Sequence, residues 1–117
     1  MDSTGGVDTM RTLKFIVDGQ ILRQDPICDF SNIVPGTEGY LRAEFSFSKD
    51  WDNTIKVVSF SRHNTEFTPK ALADGVSCEI PPDALKNRYF QISVLGKRGD
   101  FVLTTNKVTI QQNGGQT

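Results

Sequence analysis

Cysteine and histidine are scarce in this sequence, which has two cysteines, Cys28 and Cys78, and a single histidine, His63. Two cysteines are too few for the disulfide framework of a small secreted domain and for a four-ligand zinc site. We expect both to be reduced thiols, with Cys78 filling a core position, because free cysteine is among the most buried residue types. His63 lacks a second imidazole or a patterned carboxylate, so we expect an exposed turn residue. The sequence therefore predicts no cofactor and no metal.

The sequence also lacks an excess of positive or negative residues, and it lacks long apolar runs. The 117 residues include 13 Lys and Arg against 14 Asp and Glu, a formal net charge of −1. Balanced charge gives no long-range attraction to nucleic acid or to an anionic membrane, so we expect neither as a partner. The apolar runs fall far short of the roughly 20 residues that span a bilayer, and no secretory signal opens the chain. These features predict a soluble protein made in a cytoplasm, with one hydrophobic core.

Alternation of apolar and polar residues is strong in residues 39–60, GYLRAEFSFSKDWDNTIKVVSF. The first half alternates apolar residues, from Leu41 to Phe47, with polar ones, a period of two that is typical of a strand with one buried face. Residues 55–60 are rich in β-branched side chains and also favour an extended chain. Asp and Asn residues separate the two strands and favour a turn. This corner holds the single tryptophan, Trp51, whose indole we expect to close one end of the core.

The rest of the chain consists of short segments of the same kind. Asp18-Gly19 between two apolar runs predicts a type I′ hairpin, Pro82–Leu85 predicts one helical turn, and 96–100 predicts a glycine-bounded hairpin turn. Residues 24–39 predict a loop that packs its apolar side chains across the end of the fold. Seven or eight short strands without a long amphipathic helix predict an all-β fold, interpreted as a two-sheet antiparallel immunoglobulin-like sandwich. A small β-barrel is the alternative, because a sequence does not show whether the end strands meet.

Polar, glycine-containing segments flank this patterned region. Residues 1–9 and 112–117 predict a flexible N-terminal arm and a flexible C-terminal tail, which leaves 10–111 as the β-sandwich domain. The buried faces of the strands, the tryptophan corner and the helical turn together predict the core. We expect the core to contain Leu41, Phe45, Phe47, Trp51, Val57, Phe60, Cys78, Ile80, Leu85, Phe90, Ile92 and Val94.

Residues that could carry chemistry are isolated from one another. Asp50 and Asp52 flank Trp51, but neighbouring strand positions point to opposite sides, so we interpret both as turn residues. The glycines of 96–99 are not followed by the helix that a phosphate loop requires. We therefore predict no catalytic residue and no enzyme. A strand edge is the better candidate contact, since its free N–H and C=O groups can add another strand. The candidate edge consists of Thr65, Glu66, Phe67 and Thr68, ahead of Pro69.

Five segments, taken in order, resemble small β-sandwich accessory structural proteins of tailed bacteriophages of Gram-positive bacteria. In such proteins an aromatic-alternating strand runs into a Trp-Asp corner, an apolar strand ends in Phe, and an Ile-Pro turn with a leucine precedes a hairpin and a Thr-containing last strand. Asn53 stands where glycine is commoner in such corners, a change that Asn tolerates because it also adopts positive φ. The segments are LKFIVDGQ at 13–20, YLRAEFSFSKDWDN at 40–53, KVVSF at 56–60, EIPPDAL at 79–85 and FQISVLGKRGDFVLTTNKVTI at 90–110.

The resemblance implies a place on the virion, as head decoration, head fibre, or a tail or baseplate part. It also implies synthesis in the bacterial host cytoplasm, other phage virion proteins as partners, and a homotrimer or homodimer as the assembled form. Two further functions are compatible with a small domain of near-neutral charge. One is a phage-encoded inhibitor of a host defence protein, and the other is a carbohydrate-binding module.

Overall fold

The structure, a computed structural model, describes residues 10–112 and shows an all-β fold in this range. Ten strands and two short 3₁₀ helices occur there, more strands than the seven or eight predicted. The predicted arm, 1–9, and most of the predicted tail, 113–117, lie outside the described residues. The strands are β1 (Arg11–Asp18), β2 (Ile21–Gln24), β3 (Leu41–Phe47), β4 (Ile55–Arg62), β5 (Thr65–Glu66), β6 (Lys70–Ala71), β7 (Ser77–Glu79), β8 (Tyr89–Arg98), β9 (Phe101–Thr104) and β10 (Val108–Gln111).

Two sheets enclose one hydrophobic core, so the predicted sandwich is confirmed. The first sheet has the order β2-β1-β3-β7. In the second sheet β8 is central, with β4 on one side and both β9 and β10 on the other, while β4 also pairs with β5 and β6. The 3₁₀ helices, Lys49–Trp51 and Pro82–Leu85, lie between strands, and the second is the predicted helical turn.

One strand pair departs from the predicted antiparallel arrangement, because β1 and β3 run parallel, with Phe15 opposite Phe45. β2 ends opposite Phe15 in the middle of β1, and β3 starts opposite Arg11, so the loop between them crosses from one side of β1 to the other near its start. The Arg11 guanidinium holds this loop by donating to the backbone carbonyls of Asp29, Ser31 and Asn32. One side chain thus supports the crossover that parallel pairing requires.

The loop buries fewer apolar side chains than the sequence predicts. Ile33 is 1 % exposed, and Phe30 packs edge-on against Phe15 with ring centroids 5.4 Å apart. Ile27 and Val34, by contrast, are exposed. One end of the sheet has room for only part of a 16-residue connection, so the rest of its apolar residues stay in solvent.

Both predicted hairpins form, but their turns differ from the prediction. Asp18 still pairs with Ile21, so the first loop is Gly19-Gln20, and only Gly19 has positive φ, at 60°. Positive φ at the first loop residue alone matches a type II′ turn and excludes the predicted type I′. The second hairpin turns at 99–100, and Gly96 belongs to strand β8.

Ten of the twelve predicted core residues are buried, with exposed fractions of 7 % or less. The prediction for Val57 is wrong. Val58 and Phe60 of β4 face the core, so Val57 lies on the opposite face of the strand and is half-buried. Phe47 is half-buried at the margin of the core. The tail boundary is also corrected, because Gln112 is buried and its N–H donates to the Arg88 carbonyl at 2.7 Å.

Candidate interaction surface

The edge segment predicted as a contact, 65–68, is largely occupied by bonds within the chain. The Phe67 N–H donates to the Phe60 carbonyl at 2.8 Å. The N–H and hydroxyl of Thr68 both donate to Asp83 Oδ2, at 3.0 and 2.9 Å. Strand β5 is consequently only two residues long, Thr65–Glu66, and Pro69 ends the segment without a donor. This edge offers a second strand little to bind.

The outer edge of β2 is closed by an asparagine from the connection between β9 and β10. Asn106 Oδ1 accepts the Leu22 N–H at 2.7 Å, and its Nδ2 donates to the Leu22 carbonyl at 3.1 Å. The amide therefore satisfies the same two groups that a neighbouring strand would satisfy. Gln20 Nε2 strengthens this side by donating to the Thr104 carbonyl at 3.1 Å.

The outer edge of β7 is also covered, in this case by its own turn. Asp74 Oδ1 accepts the N–H groups of Val76 and Ser77, and Asp74 Oδ2 accepts the Ser77 hydroxyl at 2.6 Å. These bonds favour the charged carboxylate and lower the pKa of Asp74 to about 2. Asp74 thus caps a strand edge, and its pKa reflects that structural role.

Strand β9 has an open outer edge. The bond from the Thr105 N–H to the Val94 carbonyl shows which backbone pairs of the β8–β9 ladder are hydrogen-bonded. Because such pairs alternate along an antiparallel ladder, Val102, opposite Lys97, points its N–H and C=O away from β8. Val102 is also 53 % exposed, and β9 pairs with β8 alone among the described strands. Strand β9 therefore presents an apolar, uncharged edge.

Next to this edge, the outer face of β4 and β8 carries an apolar surface, which we call the outer patch. It comprises Ile55, which is 74 % exposed, with Val57 and Leu95, which face each other across the two strands. A shallow depression of about 490 Å³ lies over it, and Lys97 and Arg98 also line this depression. The lining contains no carboxylate among the described residues. The outer patch is thus apolar with a basic border.

Sequence reasoning missed the outer patch because its signal is ambiguous. Val57 and Val58 are adjacent β-branched residues, and either could face the core of a sandwich. Only the pairing of Val57 with Leu95 and of Val58 with Val94 shows which pair is outside. The charge pattern could have helped, since Lys97 follows Leu95 at the two-residue spacing of one strand face.

A second depression, of about 450 Å³, opens beside Phe47 and Lys56, with Trp51 at its base. Trp51 is 0 % exposed, its ring centroid is 5.2 Å from that of Phe47, and its Nε1 donates to the Gly19 carbonyl at 2.7 Å. A sugar ring needs an accessible aromatic face to stack on, and this indole offers none. The tryptophan closes the end of the core, as the sequence predicts.

The remaining candidate groups have structural environments. His63 lies in an exposed turn and shares a hydrogen bond of 2.8 Å with the Tyr89 hydroxyl. Burial raises the pKa of the Cys78 thiol to about 12, which keeps it protonated and unreactive. Residues 10–112 contain no cluster of three or more His, Cys, Asp or Glu side chains placed to hold a metal ion. None of the helices in that range is long and apolar enough to cross a membrane.

The chain matches no protein-family model, and comparison with curated proteins and with solved structures found no match.

Proposed function

We propose that this protein is a non-catalytic structural component of a tailed-bacteriophage virion and that it acts through protein–protein contacts. The observation that carries the contact function is the outer patch. Exposed apolar area of this kind, bordered by polar groups, is typical of surfaces that bind other proteins. The core is filled from the opposite faces of β4 and β8, so folding does not require Ile55, Val57 and Leu95 to be apolar.

The chemistry of the outer patch specifies the surface that would cover it. Lys97 and Arg98 border the patch, whereas its centre is aliphatic. A complementary surface presents apolar side chains at its centre and carboxylates at its border, because like charges across an interface are unfavourable. Binding would remove Ile55 from water, and such central apolar residues usually dominate affinity.

The virion assignment is supported by the sequence resemblance over 13–110, and an all-β sandwich is compatible with it. Attachment at many equivalent positions suits a small contact surface. Many weak contacts on one lattice raise the effective concentration of each partner, which strengthens attachment through contacts that are weak one by one.

The test is mass spectrometry and immunoblotting of purified phage particles from infections with the wild-type gene and with two variants. The first, Ile55→Lys with Val57→Lys, places charge in the outer patch. The second, Ser59→Lys, is a matched control on an exposed position of the same strand. We expect the wild type and the control in the particles and the patch variant in the unbound fraction. Absence of the wild-type protein from particles, with early accumulation on a host enzyme, would overturn the proposal in favour of the inhibitor function.

A further inference from the structure

We infer that the open edge of β9 pairs antiparallel with β9 of a second copy of this chain, which joins the two β4–β8–β9 sheets into one across a twofold axis at Val102. This contact goes beyond the proposed function, because it uses the strand edge and leaves the outer patch of each copy free. It rests on a separate observation, the orientation of the Val102 backbone groups.

The geometry of the β8–β9 ladder places the axis. Val102 directs its N–H and C=O away from β8, so Val102 of each copy can exchange two N–H···O bonds with Val102 of the other. In this register Phe101 lies opposite Leu103 of the second copy, and Asp100 lies opposite Thr104. The Thr104 N–H also points outward and can donate to the Asp100 carbonyl of the second copy.

The register keeps each sheet face continuous. Directly opposed residues of an antiparallel pair project to the same face, and residues 101 and 103 face the same side of β9. Val102 thus meets Val102 on the outer face, whereas Phe101 meets Leu103 on the inner face. Every pair of β9 side chains in the seam is apolar, and the strand FVLT contains neither a charge nor a proline that would block pairing.

The charged side chains near the contact between the two β9 strands do not prevent a second copy from binding. Lys97 lies one strand away from Val102, so the two Lys97 side chains are separated by three strand spacings, about 14 Å. This distance exceeds the screening length of about 8 Å at physiological ionic strength, so their repulsion is small. The Arg98 guanidinium lies over the ring of its own Phe101, 4.5 Å from the centroid, and donates to the Asp52 carbonyl, so its charge is held by contacts within its own chain.

Three other sheet edges are covered, which favours β9 as the position for this contact. Asn106 covers β2, Asp74 covers β7, and Thr68 and Pro69 end the edge beside β5. Such devices prevent unwanted strand pairing in native proteins. On β9 such a contact reaches only the Thr104 carbonyl, which accepts a bond from Gln20 Nε2, so Val102 is left open, and the β9 side chains are the most apolar of these edges. A closed twofold pairing also removes both open edges at once and cannot extend into a fibre.

The experiment measures the self-association of the purified full-length chain by sedimentation velocity, over about two decades of concentration up to the millimolar range expected for a small interface. Hydrogen exchange of the Val102 amide is followed in parallel. We expect a monomer–dimer equilibrium and slower exchange of that amide as the concentration rises. A chain that stays monomeric throughout overturns the inference.

Two variants remove the contact by different means. Val102→Lys places like charges at the axis, and Val102→Pro removes the outward N–H without removing a bond to β8. The matched control is Ile21→Lys, an equally exposed position on the covered edge of β2. We expect both Val102 variants to be monomeric with little change in melting temperature, and the control to dimerise like the wild type. Dimerisation of a folded Val102→Lys protein equal to that of the wild type overturns the inference.

The two proposals fail separately. A wild-type chain that stays monomeric in solution but is incorporated normally into particles would refute the β9 contact alone. A dimer that is absent from particles would refute the virion assignment alone.

Discussion

A single methyl group added at Gly96 should test how Trp51 closes the core. Gly96 lies in the middle of strand β8, is buried, and faces the indole. A Cβ at this position would lie 2.7 Å from both Cε3 and Cζ3 of Trp51 and 3.1 Å from Thr54 Oγ1. Carbon atoms in contact are normally about 3.5–4.0 Å apart. The Gly96→Ala substitution therefore forces the ring or the strand to move by nearly 1 Å.

The ring has little freedom to move. Its Nε1–H is bonded to the Gly19 carbonyl at 2.7 Å, and it is 0 % exposed. Overpacking of a core typically costs about 1–3 kcal/mol. A loss of about 2 kcal/mol corresponds to a fall in melting temperature of about 8 °C for a domain of this size. The φ of Gly96 is not in the left-handed region, so the steric contact accounts for this cost.

The assay is a double-mutant cycle measured by chemical denaturation, with Trp51→Ala as the second substitution and Ser93→Ala on the outer side of β8 as a neutral control. Trp51→Ala alone should cost about 3–5 kcal/mol. Once the ring is gone the added methyl loses its two closest contacts and keeps only the one with Thr54 Oγ1, so the double variant should be close in stability to Trp51→Ala. If the two effects add to within about 0.5 kcal/mol, the close contact between Gly96 and Trp51 does not govern stability and the reasoning is refuted.

Three further predictions concern the edge caps and the thiols. Asn106→Ala should destabilise the fold by about 1–3 kcal/mol in urea titration, because both backbone groups of Leu22 lose their partner; a cost below about 0.3 kcal/mol would contradict the capping role. The pKa of Asp74 is lowered in the folded state, so the stability that its carboxylate contributes is complete above pH 4 and should be lost as the pH falls toward about 2. The melting temperature of Asp74→Asn should therefore fall less on acidification than that of the wild type, and the same dependence on pH in both proteins would contradict this role. Under native conditions a thiol reagent should modify the half-buried Cys28 and react with Cys78 only after unfolding, and equal rates would contradict the burial of Cys78.

Strand periodicity is a local property, and for that reason most of the core could be predicted. The alternation from Leu41 to Phe45 and from Phe90 to Val94 repeats within one strand, and the structure buries these residues. The prediction that Val57 is in the core was wrong for an equally local reason. Val57 and Val58 are both β-branched, and the sequence does not show which of them faces the core. The interaction surface depended on that one position, so the sequence predicted the inside of the sandwich better than its outside.

The closed edge of β2 could not be predicted, because its cap comes from elsewhere in the chain. Leu22 and Asn106 are 84 residues apart, and a lone asparagine near the end of a strand carries no sign of its partner. The open edge of β9 follows from the same kind of information. FVLT is typical of a buried strand, and only its position outside β8 leaves Val102 unpaired.

The amino-acid sequence alone therefore determined which segments extend, which residues turn the chain and which side chains must leave water, since these depend on neighbours one to four positions away. Tertiary structure decided the parallel pairing of β1 with β3, the face to which Val57 points and the strand edge that stays open. These features depend on register and on strand order, which are set by contacts between segments far apart in the chain. Many alternative pairings of such segments have comparable free energies, so the local sequence does not distinguish them.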